Sequence, residues 1–285
     1  MNPNETHHPL HAEIFRRGSR TYFYSSIWFP DAVRRDVFAL YAFVRSADDF
    51  VDAVPQDGPG FFAFRSRYEA ALRGEASGDP VIDPFIQLMH RRDFDPAWVA
   101  AFLDAMQQDL SVSRYETLEQ TIGYMYGSAE VVGLMMSRIL GLAPEASESA
   151  RMLGRAMQYI NFIRDIAEDL DLGRTYFPAV ELERFDLSNL SSDEVLARPE
   201  AFRAFLRGQL DYYFAWQSEA EVGFRFIPYR TRIPVRTASE LYKWTGRKIW
   251  ADPAVVFRRK VKPSRSRVFG EVIRSVMLRP VTAAW

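Results

Sequence analysis

RSADDFVD, residues 45–52, sets three carboxylates, Asp48, Asp49 and Asp52, directly after the apolar run VFALYAFV (37–44). Apolar residues recurring at three and four mark such a run as a buried helix face. Continuing the helix therefore carries negative charge toward the interior. On one helix, Tyr41, Arg45, Asp48 and Asp52 fall at i, i+4, i+7 and i+11, a single stripe. A second stripe follows in QYINFIRDIAED (158–169), where Gln158, Asn161, Asp165 and Asp169 fall at i, i+3, i+7 and i+11. Glu168 lies beside it and Arg164 borders it.

Both stripes sit on segments whose other positions are apolar. Like charges at i,i+4 cost roughly 0.2–0.5 kcal/mol even on an exposed helix, and burying an unpaired ion costs several kcal/mol more. A cation must compensate. The four histidines, His7, His8, His11 and His90, fall in neither stripe. An oxygen-only donor set suits Mg²⁺ or Mn²⁺, and Mg²⁺ is commonly completed by water and substrate phosphate. Two acidic helices facing across an apolar cavity, bridged by metal to a diphosphate, would explain charge placed inside. One acidic cluster alone is most often a solvated helix face; two on separate apolar helices argue against that.

The 285 residues are 48% hydrophobic and 26% charged, the composition of a globular chain with a sizeable core. The absence of cysteine excludes disulfides, thiolate metal sites and a cysteine nucleophile. No signal peptide is visible, and the longest strongly apolar stretch, VVGLMM (131–136), is far short of a span, so a cytoplasmic location is expected. Periodicity predicts helices near 31–52, 61–73, 96–109, 117–140, 145–170, 199–223 and 235–250, with little strand-like alternation. The expectation is one all-α domain over 1–285. From residue 225 onward, 15 Lys and Arg face 3 Asp and Glu, which suggests an anionic partner. In SRVFGEVIRSVMLRP (266–280), Val268, Val272, Ile273, Val276 and Met277 are available for one apolar face, as a helix lying on an anionic membrane surface requires. A helix packed on the core is the plainer reading.

RSADDFVD and NFIRDIAEDLDLGRTYFP (161–178) resemble the two aspartate-rich motifs of the squalene/phytoene synthase family of head-to-head prenyltransferases. The resemblance extends to GSRTYFYSSIWFP (18–30), YMYGSAEVVG (124–133), ASELYKW (238–244) and FRRKVKP (257–263). It implies an isoprenoid-synthase-type helical bundle around a central apolar cavity. Asp48, Asp52, Asn161, Asp165 and Asp169 would hold Mg²⁺. Ser19, Arg20 and Tyr22, with Arg45, Arg164, Arg174 and Arg259, would meet diphosphate. Tyr41, Tyr126, Gln158, Tyr176 and Tyr242 would line the reaction centre. Ser26 and Phe38 would sit near the far end of the prenyl channel, where a small Ser26 leaves room for a longer tail. Glu130 departs from the pattern, since many members carry Gly or Ala there.

The activity implied is condensation of two geranylgeranyl diphosphates, through a cyclopropylcarbinyl diphosphate, to phytoene, the first step of C40 carotenoid synthesis. It ends in deprotonation, so NADPH is not expected. The alternative is a C30 squalene or dehydrosqualene synthase using farnesyl diphosphate. A remote alternative is a non-enzymatic helical adaptor at a membrane surface. Nucleic acid is not an expected partner.

Overall fold

The computed structural model describes residues 9–277, apart from the Arg20 side chain. His7, His8 and Arg279 lie outside the described residues. The architecture is all-α. Its helices are α1 (Pro9–Gly18), α2 (Arg20–Ser26), α3 (Asp31–Val51), α4 (Gly58–Leu72), α5 (Ile82–Arg92), α6 (Pro96–Gln108), α7 (Leu118–Met125) and α8 (Val131–Ile139). They continue as α9 (Ser147–Arg164), α10 (Ile166–Asp171), α11 (Ala179–Glu183), α12 (Ser192–Ala197), α13 (Pro199–Glu221), α14 (Tyr229–Ala251), α15 (Val255–Arg258) and α16 (Arg265–Met277). Two short parallel strands, β1 (Arg114–Tyr115) and β2 (Thr175–Pro178), pair Arg114 with Thr175 and Tyr115 with Pro178.

Local chemistry sets several starts. Asp57 and Asp95 cap α4 and α6 through their carboxylates, each followed by a proline in the first turn, where a missing N–H costs nothing. Ser19 caps α2 by accepting from the Tyr22 amide at 3.3 Å. The core buries α3 and α9 on most sides: Phe43, Tyr159, Ile160 and Ile163 are fully enclosed. Phe43 stacks on Phe85 with ring centres 3.8 Å apart.

The structure adds helices outside the segments the periodicity singled out, α1, α2 and α5 among them, and departs from it in three further places. Residues 117–140 are not one regular helix, because a π-helical turn over Tyr126–Glu130 separates α7 from α8. Residues 145–170 break at Asp165, whose φ of −103° and ψ of 16° leave the helical region. Residues 229–234, ahead of the helix expected near 235–250, already belong to α14, with Pro234 inside the helix.

Glu130 ends the π-helical turn and is fully buried. Its carboxylate accepts from Arg155 Nε at 2.6 Å and from Arg151 Nη2 at 2.9 Å. Arg151 also lies over the Tyr126 ring and Arg155 over the Trp216 ring. The triad ties the π-helical turn to α9 where they nearly touch: a Cβ on Gly154 would lie 2.4 Å from the Ala129 carbonyl oxygen. Removing one partner of a buried ion pair strands the others and costs about 3–5 kcal/mol. Glu130→Gln should therefore lower unfolding free energy by about that amount in urea denaturation; a loss near zero would show the triad to be energetically neutral.

Candidate active site

The acidic stripes meet in one polar chamber. α3 brings Tyr41, Arg45, Asp48 and Asp52 to it, α9 brings Gln158, Asn161 and Arg164, and the broken segment beyond brings Asp165 and Asp169. The break at Asp165 lets its carboxylate turn back on Arg164, which donates through Nε at 2.8 Å and through Nη2. Arg45 bridges the first stripe, reaching Asp48 and Asp49 at 2.5 Å each and Asp52 at 3.8 Å. Buried Arg174, just before β2, crosses to Asp52 at 3.0 Å and to the Val51 carbonyl. Lys260 spans to Asp165 at 3.1 Å and to Glu168.

Charge in the chamber is unevenly balanced. Burial and the neighbouring Asp52 push the Asp48 carboxyl up to about 8 despite Arg45. Burial, with Asp165 and Asp52 close by, raises Asp169 well above the usual carboxylate range. Burial would raise Asp165 too, but Arg164 and Lys260 outweigh it and hold it low. Burial raises the Tyr22 and Tyr41 hydroxyls, which keeps them neutral. Tyr41 stacks on Phe15 with centres 3.8 Å apart, and Tyr22 lies 5.2 Å from the Tyr242 ring.

The donor set fits a hard divalent cation. Every candidate ligand atom is oxygen. The Asn161 Oδ1 is buried with no hydrogen-bond partner, an orphaned acceptor that a cation would satisfy. Among the described residues, however, no three acidic or histidine side chains converge at ligating distance. Asp48, Asp52 and Asp165 instead turn to adjacent Arg and Lys. The stripes share a chamber without forming a closed cage.

An apolar chamber continues from the polar one. Tyr22, Tyr41, Val44, Ser128, Gln158 and Asn161 line both, so the two are continuous. Ser25 and Ser26 line the apolar part. Phe38 does not: it is buried in the core against Phe15 and Phe23, because its face of α3 turns toward α1 and α2. Ser19 lines the polar chamber while capping α2, and Tyr242 and Tyr176 line it too. The side chain of Arg20 lies outside the described residues.

Three expected residues do not line the polar chamber: Arg174, buried behind it on Asp52, Tyr176 and the Val51 carbonyl, and Tyr126 and Arg259, for each of which a near neighbour stands in. Tyr126 is 38% exposed, whereas Tyr124 is buried and lines the polar chamber. Residues two apart on a helix point some 200° apart, so only one can face inward. Arg259 is exposed, and Lys260 and Lys262 line the chamber instead. The chain leaves α15 extended at Arg259, and side chains of extended backbone alternate, sending 260 and 262 to one side and 259 to the other. Asp109, at the end of α6, also lines the chamber; a lone acid after a helix carries no periodic signal.

The squalene/phytoene synthase family profile matches residues 15–267. The chain is 28% identical over 271 residues to the 15-cis-phytoene synthase of a Paracoccus species, covering 90% of this chain and 87% of that one. It is 31% identical over 266 residues to the 15-cis-phytoene synthase of a Synechocystis species, covering 87% and 78%. Among solved structures, a dehydrosqualene synthase in complex with ligand superposes with a TM-score of 0.81 at 20% identity, covering 93% and 94% of the two chains. Squalene synthase HpnC from Alicyclobacillus acidocaldarius gives 0.73 at 24%, covering 90% and 95%. These two share the isoprenoid-synthase-type all-α fold seen here. No helix among the described residues is long and apolar enough to cross a membrane. The adaptor reading falls: the chain belongs to the squalene/phytoene synthase family and is a prenyltransferase.

Proposed function

We propose that this prenyltransferase joins two C20 prenyl diphosphates head to head, through a cyclopropylcarbinyl diphosphate, to give phytoene by loss of a proton. The depth of the apolar chamber carries the choice of C20. Its wall along α9 runs from Asn161 at the polar end to Ser149, and twelve residues of helix at ~1.5 Å each span ~18 Å. An extended isoprene unit of four carbon–carbon bonds covers about 5 Å, so a C20 tail reaches about 20 Å and a C15 tail about 15 Å. The ~18 Å wall takes a C15 tail whole and most of a C20 tail, so the further carbons it buries, at ~0.8 kcal/mol each, favour C20 by up to about 4 kcal/mol.

Asp48, Asp52, Asn161, Asp165 and Asp169 would hold Mg²⁺ or Mn²⁺, whose chemistry is to take up charge on a departing diphosphate. The remaining work falls to the chain itself. Arg45, Arg164, Lys260 and Lys262 line the polar chamber with positive charge that orients diphosphate oxygens, and buried Arg174 supports Asp52 from behind. Tyr22, Tyr41 and Tyr242 present aromatic faces, which stabilise a carbocation without attacking it. The apolar wall keeps water from quenching it. A proton, not a hydride, leaves at the end, so NADPH has no part in this reading. A C30 route from farnesyl diphosphate is the alternative that the substrate assay decides.

Substrate tails and product are insoluble in water, and we assign contact with an anionic membrane surface to the outer face of α16. Val268 and Val272 pack inward, while Phe269, Ile273, Val276 and Met277 are exposed. The Phe269 ring lies 6.3 Å from the exposed Trp28 ring, and exposed Arg267 and Arg274 flank the face.

With Mg²⁺, the protein should convert C20 diphosphate to a C40 hydrocarbon in preference to C15, and Ser26→Phe should shift use toward C15; mass analysis of the hydrocarbon decides. A wild type preferring C15 would end the chain-length reading. Asp48→Asn should lower turnover by roughly 10²–10³ without lowering the melting temperature. Its raised folded value means that ionising Asp48 costs stability, a cost absent below about pH 4, growing as pH rises and complete above about pH 8. The Asn variant should thus melt no earlier than wild type at pH 8.5; full activity would remove the ligand assignment. Vesicle sedimentation should show partition onto anionic over neutral lipid, reduced in Phe269→Ser; equal partition would count against the α16 face.

A further inference from the structure

Asp109 ends α6 and has no part in the chemistry assigned so far. Its side chain is buried yet lines the polar chamber. Oδ2 accepts from the Tyr124 hydroxyl at 2.7 Å and Oδ1 from the Tyr176 hydroxyl at 3.0 Å. Arg174 donates to the Tyr176 oxygen at 3.3 Å and to Asp52, so its guanidinium serves Asp109 only at one remove. A carboxylate at a helix C-terminus also meets the unfavourable end of the macrodipole. Charge is thus kept at a place that disfavours it, between two phenols in a reaction chamber.

We propose that Asp109 receives, through Tyr124, the proton lost when the product cation becomes an alkene; this rests on the deprotonating route given above. A phenol whose proton is committed to a carboxylate offers lone pairs, not a proton, to the rest of the chamber. The C–H bond beside the cationic carbon breaks, and its electron pair becomes the second bond of the new alkene. The released proton binds the Tyr124 oxygen as Tyr124's own proton moves to Asp109 Oδ2. No oxidant or reductant is needed. Tyr176 fixes Oδ1, leaving Oδ2 to receive.

The groups facing Asp109 are the hydroxyls of Tyr115, Tyr124 and Tyr176, the Arg174 guanidinium, and the Asp48 and Asp52 carboxylates across the chamber. Burial pushes its carboxyl up to about 6, against the lowering pull of Arg174 and the two bonded phenols. At neutral pH it is ionised, and it is a stronger base than an ordinary carboxylate. Being raised, its ionisation costs stability, a cost that appears between about pH 4 and pH 6.

The test uses purified Asp109→Asn, Asp109→Glu and Tyr124→Phe with Mg²⁺ and C20 diphosphate. In Asp109→Asn and Tyr124→Phe, hydrocarbon formation should fall about 100-fold or more, with the cyclopropylcarbinyl diphosphate or water-derived alcohols taking its place. The wild-type rate should rise with pH through about 6, a limb that Asp109→Asn lacks and Asp109→Glu partly restores. Asp109→Asn should melt no earlier than wild type at pH 7.5. A purely structural Asp109 would instead lower output in step with melting temperature and leave product spectrum and pH limb unchanged, which overturns the proposal. Both variants within about tenfold of wild type, with hydrocarbon as product, would also overturn it. If Asp109→Asn does not fold, Tyr124→Phe decides alone. A wild type that makes no hydrocarbon from C15 or C20 diphosphate brings down the underlying function; an active wild type with unaffected variants brings down only the relay.

Discussion

Negative charge has to be held inside an apolar protein, and the arrangement of cations around it organises the rest of the structure. Arg45 lies one helical turn before the carboxylates it bridges, and Arg164 stands next to Asp165. Arg174 and Lys260 arrive from elsewhere in the chain, after the second stripe and after α15. The long-range pairs fix where β2 and the segment beyond α15 must lie. The local pairs leave carboxylates able to exchange partners. A site meant to bind a multiply charged anion with metal needs both signs of charge close together, and the same ion pairs supply that.

Below this polar layer the requirement reverses. The apolar chamber is walled by helices drawn close through small residues: the Gly154 approach to Ala129, and a Gly133 whose added Cβ would lie 2.2 Å from the Ala150 carbonyl oxygen. Both glycines also line the chamber. Close helix packing and smooth apolar wall are thus one choice of residue. Tyr22, Tyr41, Gln158 and Asn161 stand where the layers join.

The helical stripes were legible because the period runs through the whole of the first and through the second as far as Arg164: Tyr41, Arg45, Asp48 and Asp52 share a face on paper and in space. What the sequence hid was orientation decided by irregular backbone. YMY contains two tyrosines, and the direction in which the helix meets its neighbours selects Tyr124 over Tyr126. RRK contains three cations, and an extended Arg259 selects Lys260. The break at Asp165 and the π-helical turn at Tyr126–Glu130 are irregularities that local propensity does not encode. Asp109 was invisible because its meaning comes from tyrosines far along the chain.

The Glu130 triad has a consequence for how this chain can change. Glu130, Arg151 and Arg155 satisfy one another on adjoining segments, with aromatic rings stacked on both guanidiniums. A chain with a small residue at position 130 would have to reach its packing there without the ions. Passing from one solution to the other by single substitutions crosses intermediates with a buried charge left alone. The three positions form an epistatic unit, and each one's tolerance to replacement depends on the identity of the other two.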